Sequence, residues 1–328
     1  MPVHLFIILY GMRLSSPDSV FIFVLAVYQG FTRKIISCIL SSFIKEVTSA
    51  MRFTKMHGTG NDYIYVNCFE ETVRDPASLA VQMSRPHFGV GSDGLVLIEP
   101  CDVADFRMRI FNADGSESEM CGNATRCIGK YVYERGLTDK TEITLMTGSG
   151  LKILSLNVQD GKVLSVRTDM GSPELTPAKI PVNIPGETVM GHTVTVNGDE
   201  WEMHCVSMGN PHCILFVEDP ADVDLPLIGP MFEHHPLFPR RTNTEFATVL
   251  DREHIRMRVW ERGAGETLAC GTGACAVLVA SVLTGRSDRE VTMHLRGGDL
   301  HLYWSPEDNH VYQQGPAAFV FDGIWPDA

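Results

Sequence analysis

The sequence lacks the features that would direct it to nucleic acid or into a membrane. Lys and Arg number 27 against 40 Asp and Glu in 328 residues, and the net charge of −13 repels a polyanion. Long hydrophobic runs are also missing. The longest charge-free run in the apolar segment 1–50, Ser19–Thr32, is shorter than the roughly 20 residues of a membrane helix. We expect no nucleic-acid partner and, for residues 51–328, no membrane contact.

The sequence also lacks the patterns of a disulfide-stapled domain and of two common cofactor sites. Its nine cysteines are odd in number and spread over a large chain, which suits a reducing compartment such as the cytoplasm. No lysine stands in a recognisable Schiff-base setting for pyridoxal phosphate. The letters G-x-G-x-x-G at Gly89–Gly94 follow a predicted helix and precede a predicted strand, the reverse of the order in a dinucleotide site.

Residues 1–50 differ from the rest of the chain. They contain apolar runs around Leu5–Tyr10, Val20–Tyr28 and Ile35–Ile44, and no clean small-residue cleavage site of a signal peptide follows these runs. A plausible first strand opens at Met51. We therefore expect Met51 to be the true start, and residues 1–50 to be a mis-called or dispensable extension.

The sequence does contain a repeat with a constant offset of 149 residues (270 − 121). Each copy places Cys-Gly at the start of a predicted helix, and a strand that alternates apolar and charged residues begins 15 residues before each cysteine (121 − 106 and 270 − 255). The same offset pairs these residues: Asn61 with Asn210, Gly94 with Asn243, Asn112 with Glu261, Glu117 with Glu266, and Cys121 with Cys270. The repeat predicts two similar domains that each give one cysteine to a shared cleft.

The placement of Cys121 and Cys270 predicts acid–base chemistry. A thiol at a helix N-terminus lies at the positive end of the helix dipole, so we expect its pKa to fall. The glycine that follows lets the backbone approach a ligand, and the free N–H groups can hold a carboxylate. Two such helix ends would place a sulfur on each face of the adjacent carbon. One thiolate and one thiol could then remove a proton from one face and deliver another to the opposite face, which inverts a stereocentre.

Several motifs resemble those of the diaminopimelate epimerase family. They are M-C-G-N-A-T-R-C, N-A-D-G-S-E, M-G-N-P-H and E-R-G-A-G-E-T-x-A-C-G-T-G-A-C, with K-M-H-G-T-G-N-D near the start, and they occur in the family's order from Met51 onward. The resemblance implies an α+β fold of two pseudo-symmetric domains, each a mixed β-barrel-like sheet wrapped round a central helix. We expect the first domain at 51–168 with about 314–328, and the second at 169–313.

The resemblance also implies a function and a set of site residues. The family's enzymes interconvert L,L- and meso-diaminopimelate without a cofactor, in lysine and peptidoglycan precursor synthesis, and we expect a homodimer. By the resemblance, Cys121 and Cys270 are the acid–base pair, and His212 and Glu261 tune their pKa values. The implied substrate-binding residues are Asn61, Gly94, Asn112, Gly122, Asn123, Asn210, Asn243, Glu261, Arg262, Gly271 and Thr272.

One position departs from the family pattern, and two related families compete. Some members have Gln in place of Gly94, so a contact there must come from the backbone or from water. Proline racemase-like enzymes share the paired thiols but have His after the first Cys-Gly, where this chain has Asn123. The polar set in this chain suits a longer, doubly charged substrate. Phenazine-pathway-like isomerases share the fold but lack the cysteine pair.

The cysteines allow two further interpretations. A zinc site built from Cys121, Cys127, Cys270 and Cys275 would have C-x5-C and C-x4-C spacings, unlike the common zinc spacings, with one partner of each pair inside a predicted helix. A redox dithiol is also possible, and in the epimerase interpretation its disulfide would be an inactivated state. The other cysteines are expected to be small buried residues. They are Cys38, Cys68, Cys101, Cys205 and Cys213.

The start at Met51 is testable by the intact mass of the protein from its native host. We expect a mass that corresponds to residues 51–328. A mass that includes residues 1–50 would contradict the assignment.

Overall fold

The computed structural model describes residues 50–326, of which Arg52–Ile324 form a compact unit. The predicted extension, apart from Ala50, lies outside the described residues. The strands are β1 Met51–Gly58, β2 Asn61–Asn67, β3 Gly94–Glu99, β4 Phe106–Asn112, β5 Glu117–Ser118, β6 Glu142–Thr147, β7 Gly150–Gln159, β8 Lys162–Asp169, β9 Val189–Val196, β10 Asp199–Ser207, β11 Pro211–Phe216, β12 Asn243–Val249, β13 His254–Glu261, β14 Gly265–Thr267, β15 Glu290–Leu295, β16 Gly298–Trp304, β17 Val311–Gly315 and β18 Ala318–Trp325. The helices are α1 Pro76–Ser84, α2 Gly122–Glu134, α3 Leu225–Glu233 and α4 Gly271–Leu283. The predicted α+β class is confirmed.

The strand pairing repeats between the two halves. In the first half β2 and β3 are parallel, β3 and β4 antiparallel, β4 and β6 parallel, and β6, β7 and β8 antiparallel. In the second half β11 and β12, β12 and β13, β13 and β15, and β15, β16 and β17 pair in the same sequence of directions. The repeat predicted from single residues is therefore also a repeat of sheet topology.

The two halves are joined through their last strands. β8 and β17 pair antiparallel, with Thr168 opposite Gln313. In addition, β18 returns to pair with β1, as β9 pairs with β10. The return of the last strand to the first half was predicted. Strand β17 includes the predicted boundary near residue 314 and pairs with strands of both halves. The exact domain boundaries stay a prediction.

The two central helices, α2 and α4, are each 13 residues long and begin 149 residues apart (271 − 122). Each begins directly after a cysteine with extended backbone, and each is followed by a glycine with positive φ, Gly136 at 73° and Gly285 at 71°. Glycine adopts this left-handed conformation without steric cost, so it ends a helix efficiently. The sequence predicts a helix end at each of these two glycines, and both ends are confirmed.

Each central helix lies in its own core. The apolar side chains of α2 pack with β2, β4 and β8, while α4, which is buried around most of its circumference, packs with β13, β15 and β16. A third cluster packs α3 against β12 through Phe232 and Phe246. The cores thus hold the starts of α2 and α4 in fixed places. Within residues 50–326, no helix has the length and apolarity needed to cross a membrane.

The sequence predicts a helix over Ala221–Phe232, and the structure divides this range into two shorter elements. Pro220–Asp222 form one 3₁₀ turn, and α3 starts afresh at Leu225. The side chain of Asp219 accepts a hydrogen bond from the Ala221 amide, and that of Asp224 accepts one from the Leu227 amide. Because an aspartate cap satisfies free N–H groups at a helix start, two caps five residues apart (224 − 219) produce two short helices.

Helix α3 supports β13 through a contact that requires glycine. A Cβ atom added to Gly229 would lie 2.4 Å from Cδ2 of Trp260, the residue before Glu261. We expect Gly229→Ala to lower the free energy of unfolding by about 1–3 kcal/mol because the core is overpacked, as measured by urea denaturation. Met231→Ala on the outer face of α3 is the control, with a change below about 0.5 kcal/mol. Equal stability of both variants would contradict this packing.

Candidate active site

Both repeat cysteines open into one cavity of about 610 Å³. Most of the residues predicted for the site line this cavity. They are Asn61, Asn112, Cys121, Gly122, Asn123, Asn210, Asn243, Glu261, Arg262, Cys270, Gly271 and Thr272. Two predicted residues, Gly94 and His212, lie outside the lining.

Cys121 and Cys270 occupy the N-cap positions of α2 and α4. Neither side chain caps its own helix, so both sulfurs remain available to the cavity. The first hydrogen bonds within the helices run from the Thr125 amide to the Cys121 carbonyl and from the Ala274 amide to the Cys270 carbonyl, both at 3.0 Å. The N–H groups that precede them have no partner within the helix and surround each sulfur.

Amide side chains hold the Cys121 thiol. The sulfur donates to Asn61 Oδ1 at 3.3 Å, and the Asn123 side-chain amide donates to the same oxygen at 3.2 Å. Asn61 in turn donates to the Asp93 carboxylate at 2.6 Å. Asp93 thus fixes the orientation of the Asn61 amide, and with it the direction of the thiol.

A carboxyl group and a hydroxyl group, rather than amides, lie beside the Cys270 thiol. The sulfur lies 3.5 Å from Thr272 Oγ1, and the Thr267 hydroxyl donates a short hydrogen bond to Glu261 Oε1. Burial raises the pKa of Glu261, while hydrogen bonds from Thr267 and the Cys270 thiol oppose the increase. Glu261 is therefore a buried carboxyl group in direct contact with this thiol.

The expected fall in thiol pKa does not occur. Burial raises the pKa of Cys121, although the amides of Ala124 and Asn123 oppose the increase. Burial also raises the pKa of Cys270 well above its ordinary value, and the negative charges of Glu261 and Glu245 raise it further. Removal from water disfavours the thiolate more than the helix dipole favours it. Both thiols are therefore harder to deprotonate than an ordinary cysteine.

His212 acts on Cys270 only through other side chains. Its Nε2 lies 2.9 Å from Asn210 Oδ1, Asn210 donates to Thr272 Oγ1 at 3.2 Å, and Thr272 contacts the sulfur. Because Asn210 donates from its nitrogen to Thr272, its oxygen accepts and His212 Nε2 carries a proton. The predicted tuning by His212 thus has an indirect route.

Glu245 is a buried partner of His212 that sequence reasoning missed. Its Oε1 lies 2.6 Å from His212 Nδ1, and both side chains are fully buried. Burial raises the pKa of Glu245, against the opposing effect of His212. A Cβ atom at Gly273 would lie 2.5 Å from Glu245 Oε1, so glycine in the first turn of α4 makes room for the carboxyl group. The repeat offset places Val96 at the equivalent position of the first half (245 − 149).

Three predicted binding residues have more specific positions than the sequence indicated. Gly94 packs against β4, because an added Cβ would lie 2.0 Å from the Phe111 carbonyl oxygen, and it makes no part of the cavity wall. The Asn243 amide binds protein backbone, donating to the Pro211 carbonyl at 2.8 Å and accepting from the Arg262 amide at 2.9 Å. The Arg262 guanidinium stands exposed at the rim and has no carboxylate partner within residues 50–326.

The repeat offset contains a signal for another missed residue. Tyr63, which lines the cavity, lies 149 residues before His212 (212 − 63). The two positions also have equivalent strand partners, since Tyr63 pairs with Gly94 and His212 with Asn243. Comparison of the two halves at every offset position would have marked Tyr63 as the counterpart of the histidine.

The zinc-site interpretation finds no geometric support. Cys127 and Cys275 are fully buried inside α2 and α4 and do not line the cavity. In residues 50–326, no three His, Cys, Asp or Glu side chains lie close enough together to hold a metal ion. All eight cysteines of this part of the chain are free thiols.

The fold is similar to that of several solved structures. A hydroxyproline epimerase from Agrobacterium vitis superposes with a TM-score of 0.65 at 15% identity, over 85% of this chain and 94% of that chain. A PhzF-family phenazine biosynthesis protein from Bacillus anthracis gives a TM-score of 0.60 at 16% identity, over 84% and 99%. Fold and site together place this chain in a class of proteins in which two similar halves enclose one cavity between paired helix N-termini.

Sequence comparison narrows this class to one family. The diaminopimelate epimerase family model matches residues 53–176 and 204–320. Diaminopimelate epimerase of Acetivibrio thermocellus is 60% identical over 273 residues, which cover 83% of this chain and 98% of that protein. That of Methanococcus maripaludis strain S2 is 53% identical over 273 residues, covering 83% and 99%. The chain belongs to the diaminopimelate epimerase family.

The contact between Glu261 and Cys270 predicts the pH dependence of thiol reactivity. Because the Glu261 charge raises the pKa of Cys270, Glu261→Gln should lower that pKa and shift the alkylation of Cys270 by iodoacetamide to lower pH. Mass spectrometry of the Cys270 peptide across a pH series measures the shift. Glu266→Gln, which removes the same charge from an ion pair with Arg258 on the adjacent hairpin, should leave it unchanged. An unchanged profile for Glu261→Gln would contradict the electrostatic assignment.

Proposed function

We propose that this protein is a cofactor-independent epimerase that interconverts L,L- and meso-diaminopimelate. The observation that carries the proposal is the meeting of two cysteines in one cavity, each at the N-cap of a central helix, in a chain of the diaminopimelate epimerase family. The reaction supplies precursors for lysine and peptidoglycan.

The first turns of both helices form the site for the reacting carboxylate. The backbone N–H groups of Gly122, Asn123, Gly271 and Thr272 lie at the positive ends of two helix dipoles and line the cavity. They stabilise the negative charge that spreads from the α-carbon onto the carboxylate when the α-proton leaves. Helix ends bind the carboxylate better than flexible side chains would, because the cores hold the helices and so keep these N–H groups in fixed positions.

Proton transfer uses both sulfurs. One thiolate takes the α-proton and becomes a thiol, and the opposite thiol delivers its proton to the other face and becomes a thiolate. Because burial raises both thiol pKa values, the substrate's α-ammonium group supplies the cation that favours a thiolate. After each turnover the two cysteines have exchanged protonation states, because the former thiolate is now a thiol and the former thiol a thiolate. The pair can therefore act on the opposite stereoisomer. Titration of one sulfur depends on the state of the other.

The rest of the cavity suits the second amino-acid head group. Arg262 at the rim presents a cation for its carboxylate, and Asn112 and Glu261 present acceptors for its ammonium group. A substrate with one carboxylate and one ammonium, such as proline, would leave these groups without partners. Unpaired polar groups in a cavity discriminate strongly against such a substrate.

We also propose a cytoplasmic location and a homodimer. The free thiols of residues 50–326 support a reducing compartment, since oxidation of the catalytic pair would stop proton transfer. Val320, Phe321 and Ile324 on β18 are about half exposed or more, at 51%, 46% and 68%. A second copy of the chain would cover such an apolar row.

The two-thiol mechanism predicts that each cysteine is indispensable. Cys121→Ser and Cys270→Ser should each reduce epimerisation by at least about 100-fold, because either missing sulfur breaks proton transfer across the α-carbon. Cys101→Ser, outside the cavity, is the control and should retain activity. The measurement is the formation of the opposite stereoisomer in D₂O, with hydroxyproline as a competing substrate. Full turnover by either mutant, or preferred turnover of hydroxyproline, would overturn the proposed function.

A further inference from the structure

Arg126, in α2, is a buried cation that has no carboxylate partner within residues 50–326. It is fully buried, and its hydrogen bonds in the described part of the chain go to neutral oxygens. These acceptors are Asn123 Oδ1 and Gln313 Oε1, both at 2.6 Å, the Gly122 carbonyl at 3.2 Å, the Pro316 carbonyl at 3.3 Å and Thr59 Oγ1 at 3.4 Å. A buried cation is costly, so its retention at this position requires a reason beyond packing.

Gln313, on β17, extends the contacts of Arg126 to the second half. It is fully buried, and its amide nitrogen donates to the Gly271 carbonyl at 2.9 Å and to Cys275 Sγ at 3.7 Å. Its oxygen accepts from Arg126, which also binds the Gly122 carbonyl. One chain of hydrogen bonds therefore connects the first residue of α2 with the first residue of α4.

The other arm of the guanidinium reaches the same place by a second route. Arg126 Nη2 fixes the Asn123 side chain, whose nitrogen donates to the Ala269 carbonyl at 3.4 Å. Ala269 and Gly271 are the two neighbours of Cys270. Both arms of Arg126 thus lead from the helix of one reactive cysteine to the backbone on either side of the other.

The glycines after the two cysteines fit tightly around the Gln313 amide. A Cβ atom at Gly122 would lie 2.9 Å from Gln313 Oε1, and one at Gly271 would lie 3.0 Å from Gln313 Nε2. The amide is therefore wedged between the two helix starts. The repeat does not duplicate this arrangement, because the offset places Cys275 opposite Arg126 (126 + 149) and Leu164 opposite Gln313 (313 − 149).

We propose that Arg126 and Gln313 are positioning residues that form one buried bridge between the helix N-termini and so set the separation of the Cys121 and Cys270 sulfurs. The proposal rests on the proposed function, in which both sulfurs must face one α-carbon at once. A displacement of about 1 Å in a reacting group can cost about 100-fold in rate. Because the bridge connects two helices that are packed in separate cores, it fixes the distance between the Cys121 and Cys270 sulfurs.

Loss of the bridge would change the ratio of deuterium exchange with retention to inversion, whereas loss of stability would leave this ratio unchanged. If the second thiol is out of place, the first thiol exchanges the abstracted proton with solvent and returns a deuteron to the face it came from. The substrate then gains deuterium with its configuration retained. The ratio of exchange with retention to inversion is a property of each folded molecule, so it does not depend on how much enzyme is folded.

The experiment measures this ratio at initial rates in D₂O for the full chain. Gln313→Met removes both ends of the bridge at similar volume, Gln313→Glu keeps the acceptor for Arg126 but loses the donor to Gly271, and Arg126→Lys keeps the charge but not the fork. We expect each variant to raise the ratio at least about tenfold, and to lower kcat by up to about 100-fold with a smaller change in KM. Thr168→Val, a buried polar residue paired with Gln313 in the strand register, is the matched control and should keep the wild-type ratio.

The outcomes separate the bridge from the proposed function. Variants that lose total activity but keep the wild-type ratio would overturn the bridge and leave a purely stabilising role. A wild-type ratio in Arg126→Lys alone would show that charge, not geometry, is what Arg126 supplies, which also overturns it. If one Gln313 variant does not fold, the other carries the test, since both lose the donor to the Gly271 carbonyl. Absence of both exchange and inversion in the wild type would instead reject the proposed function.

Discussion

The antiparallel pairing of β8 with β17 is the constraint on which the rest of the structure depends. Two sheets of the same topology, each with a helix in its core, are held in register by this ladder. Because the helices α2 and α4 are fixed within their cores, the register of one strand pair determines where both helix N-termini point. The shared cavity follows from this pairing, and so does the presence of two thiols in it.

The chemistry of the thiols results from a competition between burial and the helix ends. Free N–H groups favour a thiolate, but removal from water and nearby carboxyl groups raise both pKa values. A site that formed stable thiolates would be open to oxidation and alkylation at all times. Thiols whose pKa values are raised by burial are less open to these reactions.

The repeat made much of the site predictable, since a constant offset identifies equivalent positions without any structure. Cys121, Cys270 and the paired Asn61 and Asn210 were identified in this way. Asn123 was implied only by the family resemblance, and the helix ends at Gly136 and Gly285 were predicted from the preference for glycine just after a helix. The offset could not reveal residues that have no counterpart. Glu245, which is opposite a valine, was therefore missed. The direction of the thiol pKa shift was also missed, because the burial that raises it comes from strands distant in sequence. The break before α3 was overlooked because two aspartate caps interrupt an otherwise apolar helical pattern.

The unequal surroundings of the two sulfurs have a consequence for the origin of the molecule. A cation, Arg126, lies near the start of α2, and a carboxyl group, Glu245, lies beside the first turn of α4. In a symmetric dimer of half-length chains, any substitution in one half would also appear in the other. Neither group could then occur on one side only. Covalent fusion of the halves therefore freed each side to diverge. The two faces of an α-carbon present different groups to the protein. Only a fused chain can place different side chains opposite each face.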